Sequence, residues 1–257
     1  MANATIVIRG SDTMLSLNQR WAAAYAQVNP QVAISVDGGG TNVGIRALLE
    51  GQTDICAASR RLLLEEREQA RSRGVVAHET PVALDGLAIA VHVSNPVESL
   101  TLEQLRQIYL GQLTNWRQVE GENRPIVALS RDANSGTHDF FKQRVLHGRA
   151  WGRNVRFLAT TIDEAREVAR NPNAIAYGGA AYFVNRPELK LLRIAARAGD
   201  EAYPPDLNSV RARRYPIWRY LYYYTDGKPR GAVAEFIHWT TSASGQALVK
   251  EVGYFPL

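Results

Sequence analysis

The sequence has few of the residues that metal and redox sites need. Its one cysteine, Cys56, cannot form a disulfide within the chain, and the residues around it predict a small buried side chain rather than a reactive thiol. The five histidines, at positions 78, 92, 138, 147 and 238, have no metal-ligand spacing, and no Cys/His cluster could hold zinc. We therefore expect no catalytic metal and no cofactor.

Long apolar runs are also missing. No run approaches the ~20 residues that a helix needs to span a bilayer. The first residues, Met-Ala-Asn-Ala-Thr-Ile, lead into a strand pattern and contain neither the basic region nor the apolar region of a signal peptide. Two expectations stay open: a cytosolic protein, or a mature exported form with an added starting methionine.

Charge of one sign is concentrated in only one short segment of the chain. Lysine and arginine total 30 and aspartate and glutamate 25 over 257 residues, and the net charge of +5 is spread along the whole length. This pattern does not predict a nucleic-acid-binding surface. The local cluster Arg211-Ala-Arg213-Arg214 is interpreted as a solvated loop. A positive average still favours a small anion as the ligand.

Strand patterns alternate with helix patterns in two series. The first series has strands Thr5–Arg9, Val32–Val36 and Asp54–Ala58 and helices Met14–Val28, Val43–Glu50 and Leu63–Arg73. The second series has strands Gly86–Val93, Ile126–Ser130, Ala174–Tyr177, Leu189–Ile194 and Pro216–Thr225, and helices Thr101–Tyr109, Thr137–Val145 and Val233–Val252. This alternation predicts an α/β protein with parallel sheets covered on both faces, in two lobes rather than one.

Hydroxyl side chains recur where a strand ends and a helix begins. Ser11 and Thr13 lie in the first such turn, Thr41 follows three glycines in the second, and Ser135-Gly136-Thr137 forms a later one. A helix N-terminus has unpaired N–H groups and a partial positive charge, and such turns line the crevice where α/β proteins bind ligands. Each turn taken alone could be a simple helix cap.

Arg131 adds a permanent, fork-shaped cation four residues before Ser135. Its alternative role is a surface salt bridge with Asp132 or Asp139. Together with the hydroxyl-rich turns, Arg131 predicts a binding site for a tetrahedral oxyanion.

Competing motifs fit less well. In the glycine-rich turn, Val43 occupies the place of the third glycine of G-x-G-x-x-G, and the turn has no P-loop lysine. The segment Ala133–Thr137 misses the G-x-S-x-G elbow, although His138 and Asp139 nearby leave a serine hydrolase open as an alternative. The tyrosine-rich segment Tyr215–Thr225 is interpreted as an aromatic strand in the core or at a hinge.

Taken in order, these segments resemble one family over nearly the whole chain. The chain resembles the periplasmic phosphate-binding proteins of phosphate ABC transporters, the PstS type, within the type II solute-binding proteins. The resemblance rests on Gly10-Ser-Asp-Thr13, Gly38-Gly-Gly-Thr41, Asp54-Ile-Cys-Ala-Ala-Ser-Arg60, Asp85-Gly-Leu-Ala-Ile-Ala90, "LTLEQLRQIYLGQLTNW" from Leu100, "SRDANSGT" from Ser130, "AIAYGGAAY" from Ala174 and "SASGQALVKEVGYFPL" at the end.

The resemblance implies a two-lobed type II periplasmic-binding-protein fold, in which each lobe is a mainly parallel sheet flanked by helices and a strand hinge joins the lobes. Lobe 1 would hold residues 1–84 and 195–257, and lobe 2 residues 85–194. The implied function is high-affinity binding of inorganic phosphate in the cleft between the lobes, with hinge closure and no catalysis. The implied partner is the membrane permease of an ABC transporter. We expect a monomer that binds no nucleic acid and lies in the periplasm or anchored outside the cytoplasmic membrane.

The resemblance also assigns the residues that would bind phosphate. They are Ser11, Thr13, Thr41, Ser59, Arg131, Ser135, Gly136 and Thr137. Some members place an aspartate after the serine that matches Ser59, where it accepts the proton of phosphate, but here Arg60 stands there. We hypothesise that Asp12 is the acceptor instead, with helix capping as its alternative role.

Three other functions remain open. The first is a receptor for sulfate, molybdate or tungstate. The second is a serine-dependent hydrolase built around Ser135. The third is a surface protein that acts in adhesion or signalling on the same scaffold.

Overall fold

The computed structural model describes residues 4–257. The expectation about a signal peptide concerns a segment that begins with Met1-Ala-Asn3, and these three residues lie outside the described ones. The chain divides into two compact units. The first unit holds residues up to 84, residues 134–136 and residues 220–257, and the second holds residues 85–133 and 137–219. Residues 195–219 therefore fall in the second unit, although we expected them in lobe 1, and residues 134–136 fall in the first.

The strands and helices alternate along most of the chain. The strands are β1 (Ala4–Gly10), β2 (Val32–Gly39), β3 (Ile55–Ala58), β4 (Ala77–Gly86), β5 (Ala88–His92), β6 (Ser99–Thr101), β7 (Val127–Arg131), β8 (Arg156–Leu158), β9 (Ala174–Gly178), β10 (Leu189–Leu191), β11 (Arg193–Ala195), β12 (Ala202–Tyr203) and β13 (Trp218–Asp226). The helices are α1 (Leu15–Val28), α2 (Thr41–Leu49), α3 (Leu64–Ser72), α4 (Leu102–Tyr109), α5 (Gly136–Arg144), α6 (Thr161–Arg170), α7 (Leu207–Arg211), α8 (Gly231–Thr240) and α9 (Ala243–Val252).

The sheet of the first unit has the strand order β2-β1-β3-β13-β4. The strands β2 and β3 both run parallel to β1, which lies between them, and β13 runs antiparallel to β3. Because neighbouring parallel strands point the same way, the carboxyl ends of β1, β2 and β3 lie at one edge of the sheet. The turns that follow these strands are thereby brought to the same edge.

The aromatic strand β13 packs with alternate side chains on opposite faces of this sheet. Tyr222 and Tyr224 join an apolar cluster with residues of α2, β3 and α3. Tyr223 makes an edge-to-face contact with Trp21 of α1, with ring centroids 5.9 Å apart, and also packs against Phe236 of α8. The interpretation of this tyrosine-rich segment as a core strand is confirmed.

The second unit has a sheet of order β10-β5-β9-β7-β8 and a smaller sheet of order β12-β11-β6. The strand β7 is parallel to both β8 and β9, whereas β5 is antiparallel to β9 and β10. Helix α6 covers one face with Ala165 and Val168. On another part of β9, Tyr177 stacks on Phe141 of α5 and meets Tyr109 of α4 edge to face.

The predicted α/β class, with parallel strands flanked by helices, is confirmed, and the differences are local. Strand β4 and helix α6 were not predicted. The single predicted helix Val233–Val252 is two helices, because the Ser242 hydroxyl accepts a hydrogen bond from the Gly245 N–H and starts α9. The predicted cap at Thr101 is present as a capping box with Gln104. Within residues 4–257, we find no helix with the length and apolarity required to cross a bilayer.

Candidate anion-binding site

Predicted hydroxyl residues follow each of the three parallel strands of the first unit. Ser11 directly follows β1 and Ser59 directly follows β3, whereas Gly40 separates Thr41 from the end of β2. Their exposed fractions are 2%, 0% and 1%, so all three are buried polar residues. Backbone contacts fasten the strand ends together, because the Ser11 N–H donates to the Ala57 carbonyl at 2.8 Å and the Gly40 N–H donates to the Gly10 carbonyl at 2.9 Å.

Thr41 and Ser59 form a pair of adjoining hydroxyls. The Ser59 backbone N–H donates to Thr41 Oγ1 at 3.1 Å, and the two side-chain oxygens lie 3.3 Å apart. Thr41 is also the first residue of α2, whose N-cap Gly40 makes no side-chain capping bond. The pair therefore lies at a helix N-terminus, where a negative charge is stabilised.

The segment 134–136 packs directly on this pair. The Asn42 N–H in the first turn of α2 donates to the Asn134 carbonyl at 3.2 Å. A Cβ on Gly136 would lie 2.2 Å from Thr41 Oγ1 and 2.8 Å from Ser59 Oγ. Ser135 is 2% exposed. The structure thus brings Thr41, Ser59 and Gly136 into contact, as the hypothesis of one shared site requires.

Gly40 allows the segment 134–136 to pack closely against the start of α2, for two reasons. Its φ is +115°, which residues with a side chain rarely adopt. A Cβ at this position would also lie 2.2 Å from the Asn134 carbonyl oxygen. The last of the three consecutive glycines is therefore required both by its backbone conformation and by the segment that packs against it.

The first turn provides a cap, a half-buried acid and a buried threonine. The Ser11 hydroxyl accepts from the Met14 N–H at 3.3 Å, so Ser11 caps the 3-10 turn that leads into α1. Asp12 is half-buried and opens a 3-10 turn that leads into α1, and Thr13 is 1% exposed. The hypothesis that Asp12 accepts the proton of phosphate stays a prediction.

Arg60, the residue after Ser59, is held by an acid and an amide. Its Nη1 and Nη2 each donate to one carboxylate oxygen of Glu66 at 2.7 Å, and Nη2 also donates to Asn42 Oδ1 at 2.6 Å. This forked arrangement is the strong geometry for an arginine and a carboxylate. It joins the β3 turn to α2 and α3, and it compensates the charge of Arg60.

Arg131 ends β7 in the second unit and is 1% exposed, which excludes the surface salt bridge that we considered. Its Nη1 donates to Thr161 Oγ1 at 2.7 Å, and its Nη2 donates to the Ala159 carbonyl at 2.8 Å. Both acceptors are neutral. These two contacts therefore orient the guanidinium, and neither of them compensates its positive charge.

The sequence analysis did not identify a buried acid, Glu164, that acts on the same tyrosine as Arg131. Burial raises the pKa of Tyr177 well above its usual value, and the charge of Glu164 raises it further while that of Arg131 lowers it. Glu164 and Arg131 therefore act electrostatically on the same Tyr177 phenol, whose oxygen is 2.7 Å from Ser130 Oγ. Glu164 is 0% exposed and shares the inward face of α6 with Ala165. In the sequence, the signal for this residue was a glutamate at a position where the helical spacing of α6 calls for an apolar side chain.

Thr137 leads to a second network that the sequence analysis missed. Its Oγ1 accepts from Arg219 Nη1 at 2.9 Å. Arg219 is paired with Asp85 through Nε and Nη2, which lie 2.9 and 2.8 Å from Asp85 Oδ2, and Asp85 Oδ1 accepts from the Ala180 N–H at 3.0 Å. Burial raises the pKa of Asp85, although the Arg219 charge opposes this rise. In the sequence, the signal for this network was Arg219, a charged residue within the otherwise aromatic strand β13.

Replacing Gly136 with alanine tests the packing of the segment 134–136. An alanine in a helix usually stabilises it by up to ~1 kcal/mol relative to glycine. At Gly136 we expect the opposite, a loss of about 1–3 kcal/mol in the free energy of unfolding, because the new Cβ would collide with Thr41. Urea unfolding measures the difference.

Gly38→Ala is the matched control in the same unit. A Cβ there would meet Leu15 Cδ2 at 3.4 Å, which is ordinary contact, so we expect a change within about 0.5 kcal/mol. A Gly136→Ala protein as stable as the unsubstituted chain would contradict the described packing.

Known phosphate-binding proteins are similar to this chain. It is 28% identical over 258 residues to the phosphate-binding protein PstS of Bacillus subtilis, covering 100% of this chain and 82% of that protein. It is 29% identical to protein SphX of Synechococcus elongatus, covering 99% of this chain and 78% of that protein. A crystal structure with bound phosphate, assigned to a phosphate ABC transporter substrate-binding protein of Clostridium perfringens, matches 98% of this chain and 99% of its own with a TM-score of 0.87 and 28% identity.

The similarity to the Clostridium perfringens structure confirms the predicted fold. The PBP superfamily domain matches residues 2–244, which is most of the 257-residue chain. The chain belongs to the PBP superfamily.

Proposed function

We propose that this protein binds inorganic phosphate without covalent chemistry and passes it to the permease of an ABC transporter. The observation that carries the proposal is the buried cluster of Thr41, Ser59 and Gly136 at the N-terminus of α2. Support comes from the Bacillus subtilis relative, a phosphate-binding protein, and from the Clostridium perfringens structure, which contains bound phosphate.

The proposed binding residues supply donors rather than a counter-ion alone. They are Ser11, Asp12, Thr13, Thr41, Ser59, Arg131, Ser135, Gly136 and Thr137. All except Asp12 are buried. In a buried site, hydroxyls, backbone N–H groups and a guanidinium can replace the water around a dehydrated oxyanion, and each hydrogen bond is stronger there than in water.

Phosphate is proposed ahead of sulfate, molybdate and tungstate because the relatives are named for phosphate. We propose no enzymatic activity, and the absence of turnover with chromogenic phosphate and acyl esters is the result expected for a binding protein. We further propose that the protein acts outside the cytoplasmic membrane as a monomer, with no nucleic acid among its partners.

Arg131→Lys tests the role of the guanidinium. Lysine keeps the charge but cannot make a forked contact with phosphate or keep the paired contacts with Thr161 and Ala159. We expect phosphate to bind the unsubstituted protein at one site per chain and to bind Arg131→Lys about 10- to 100-fold more weakly. Isothermal titration calorimetry with inorganic phosphate measures both constants.

Arg186→Lys is the matched control for Arg131→Lys. Arg186 is also in the second unit and is also anchored to a carbonyl, that of Tyr182 at 2.8 Å, but it is not a proposed phosphate ligand. Its substitution should leave the phosphate affinity unchanged. Equal affinities for Arg131→Lys and the unsubstituted protein would count against the proposed site.

Asp12→Asn tests the origin of anion selectivity. If Asp12 accepts the proton that phosphate carries and sulfate lacks, its carboxylate repels sulfate, and the amide should reduce the preference for phosphate over sulfate about tenfold or more. Titration of the same protein with each anion gives the preference as a ratio of dissociation constants.

Asp37→Asn is the matched control, since Asp37 is an exposed acid in the same unit that pairs with Arg9 at 3.3 Å. It should leave the ratio of the two constants unaltered. If Asp12→Asn also leaves the ratio unaltered, Asp12 is not the proton acceptor.

A further inference from the structure

A buried ion pair adjoins Thr137 in the second unit. Arg219 and Asp85 have side chains that are 2% and 0% exposed, and both lie on strands that continue into the first unit, β13 and β4. The ring of Phe140 covers the guanidinium, whose carbon lies 5.3 Å from the ring centroid. Neither Arg219 nor Asp85 is among the proposed phosphate ligands.

The hydrogen-bond roles within this network follow from the chemistry of its groups. A guanidinium has N–H donors and no acceptor, whereas a hydroxyl has one proton and two lone pairs. In the contact of 2.9 Å between Arg219 Nη1 and Thr137 Oγ1, the hydroxyl must therefore accept. The proton of Thr137 therefore cannot be given to Arg219 and can be donated only to a different acceptor.

Asp85 fixes the position of Arg219 on the side away from Thr137. Its Oδ2 accepts a hydrogen bond from Arg219 Nε at 2.9 Å and lies 2.8 Å from Nη2 in the ion pair, while its Oδ1 accepts from the Ala180 N–H. The carboxylate also compensates the positive charge of Arg219. The pair of Arg219 and Asp85 therefore orients the Thr137 hydroxyl and adds no net charge near it.

We propose that Arg219 and Asp85 are positioning residues for phosphate binding, which fix the Thr137 hydroxyl as a donor to the anion. This inference rests on the proposed function and deepens it. An oxyanion accepts hydrogen bonds from every donor around it, so a hydroxyl held in the donating direction is already arranged for the ligand. Without Arg219, the same hydroxyl could rotate and would lose that arrangement on average.

A double-mutant cycle on Arg219 and Thr137 tests the proposal. Arg219→Lys keeps a cation for Asp85, but the shorter, unforked side chain cannot span both Asp85 and Thr137. Thr137→Val removes the hydroxyl and keeps the shape. The dissociation constant for inorganic phosphate is measured by calorimetry for the unsubstituted protein, for each variant and for the double variant, and urea unfolding is measured for each.

If Arg219 acts through Thr137, Arg219→Lys weakens phosphate binding about tenfold in the unsubstituted protein and less than about twofold in the Thr137→Val background. Thr137→Ser, which keeps a hydroxyl, should restore the sensitivity to Arg219→Lys. Arg144→Lys is the matched control, because Arg144 in the same unit donates to the Pro216 carbonyl and should leave the phosphate affinity unchanged in both backgrounds.

Each outcome separates this inference from the function on which it rests. If the unsubstituted protein binds phosphate and Arg219→Lys costs the same factor in both backgrounds, the positioning role is wrong and the proposed function stands. If the unsubstituted protein binds no phosphate, both fail. Should Arg219→Lys not fold, the pair Asp85→Asn and Arg219→Gln, which leaves no buried charge, replaces it in the same cycle with the same expected coupling.

Discussion

Buried hydroxyl groups at the ends of parallel strands are the constraint on which the candidate site depends. A buried hydroxyl is costly unless it is hydrogen-bonded, and Thr41 and Ser59 meet this requirement partly through each other. Their contact requires that the adjacent strands β1, β2 and β3 end at one edge of the sheet. It also requires glycine at positions 40 and 136, where a side chain would overlap the neighbouring segment. Strand order, glycine positions and the contact between the two hydroxyls are thus linked.

Three buried arginines differ in the hydrogen-bond partners that hold them. Arg60 is paired in a forked contact with Glu66, and Arg219 is paired with Asp85. Arg131 is oriented by a hydroxyl and a carbonyl, which carry no charge. A guanidinium oriented in this way keeps the forked geometry that suits phosphate. The sequence motif around Arg131 and the contacts of its side chain therefore support the same role.

The sequence predicted what depends on local pattern, and it missed what depends on distant contacts. The alternation of strands and helices, the three hydroxyl-rich turns and the cap at Thr101 were predicted because each is encoded within a few neighbouring residues. The pairing of Asp85 with Arg219 joins residues that are 134 positions apart, so no local pattern could reveal it. The break between α8 and α9 was missed because Ser242 interrupts a sequence whose apolar spacing continues on both sides.

A crystal structure of the protein with inorganic phosphate tests the central claim most directly. We predict a tetrahedral anion within hydrogen-bonding distance of the Thr41 and Ser135 hydroxyls and the Arg131 guanidinium, with Thr137 donating to it. An anion bound away from these groups, or a structure at saturating phosphate in which Arg131 contacts Thr161 and Ala159 but no ligand, would contradict the account.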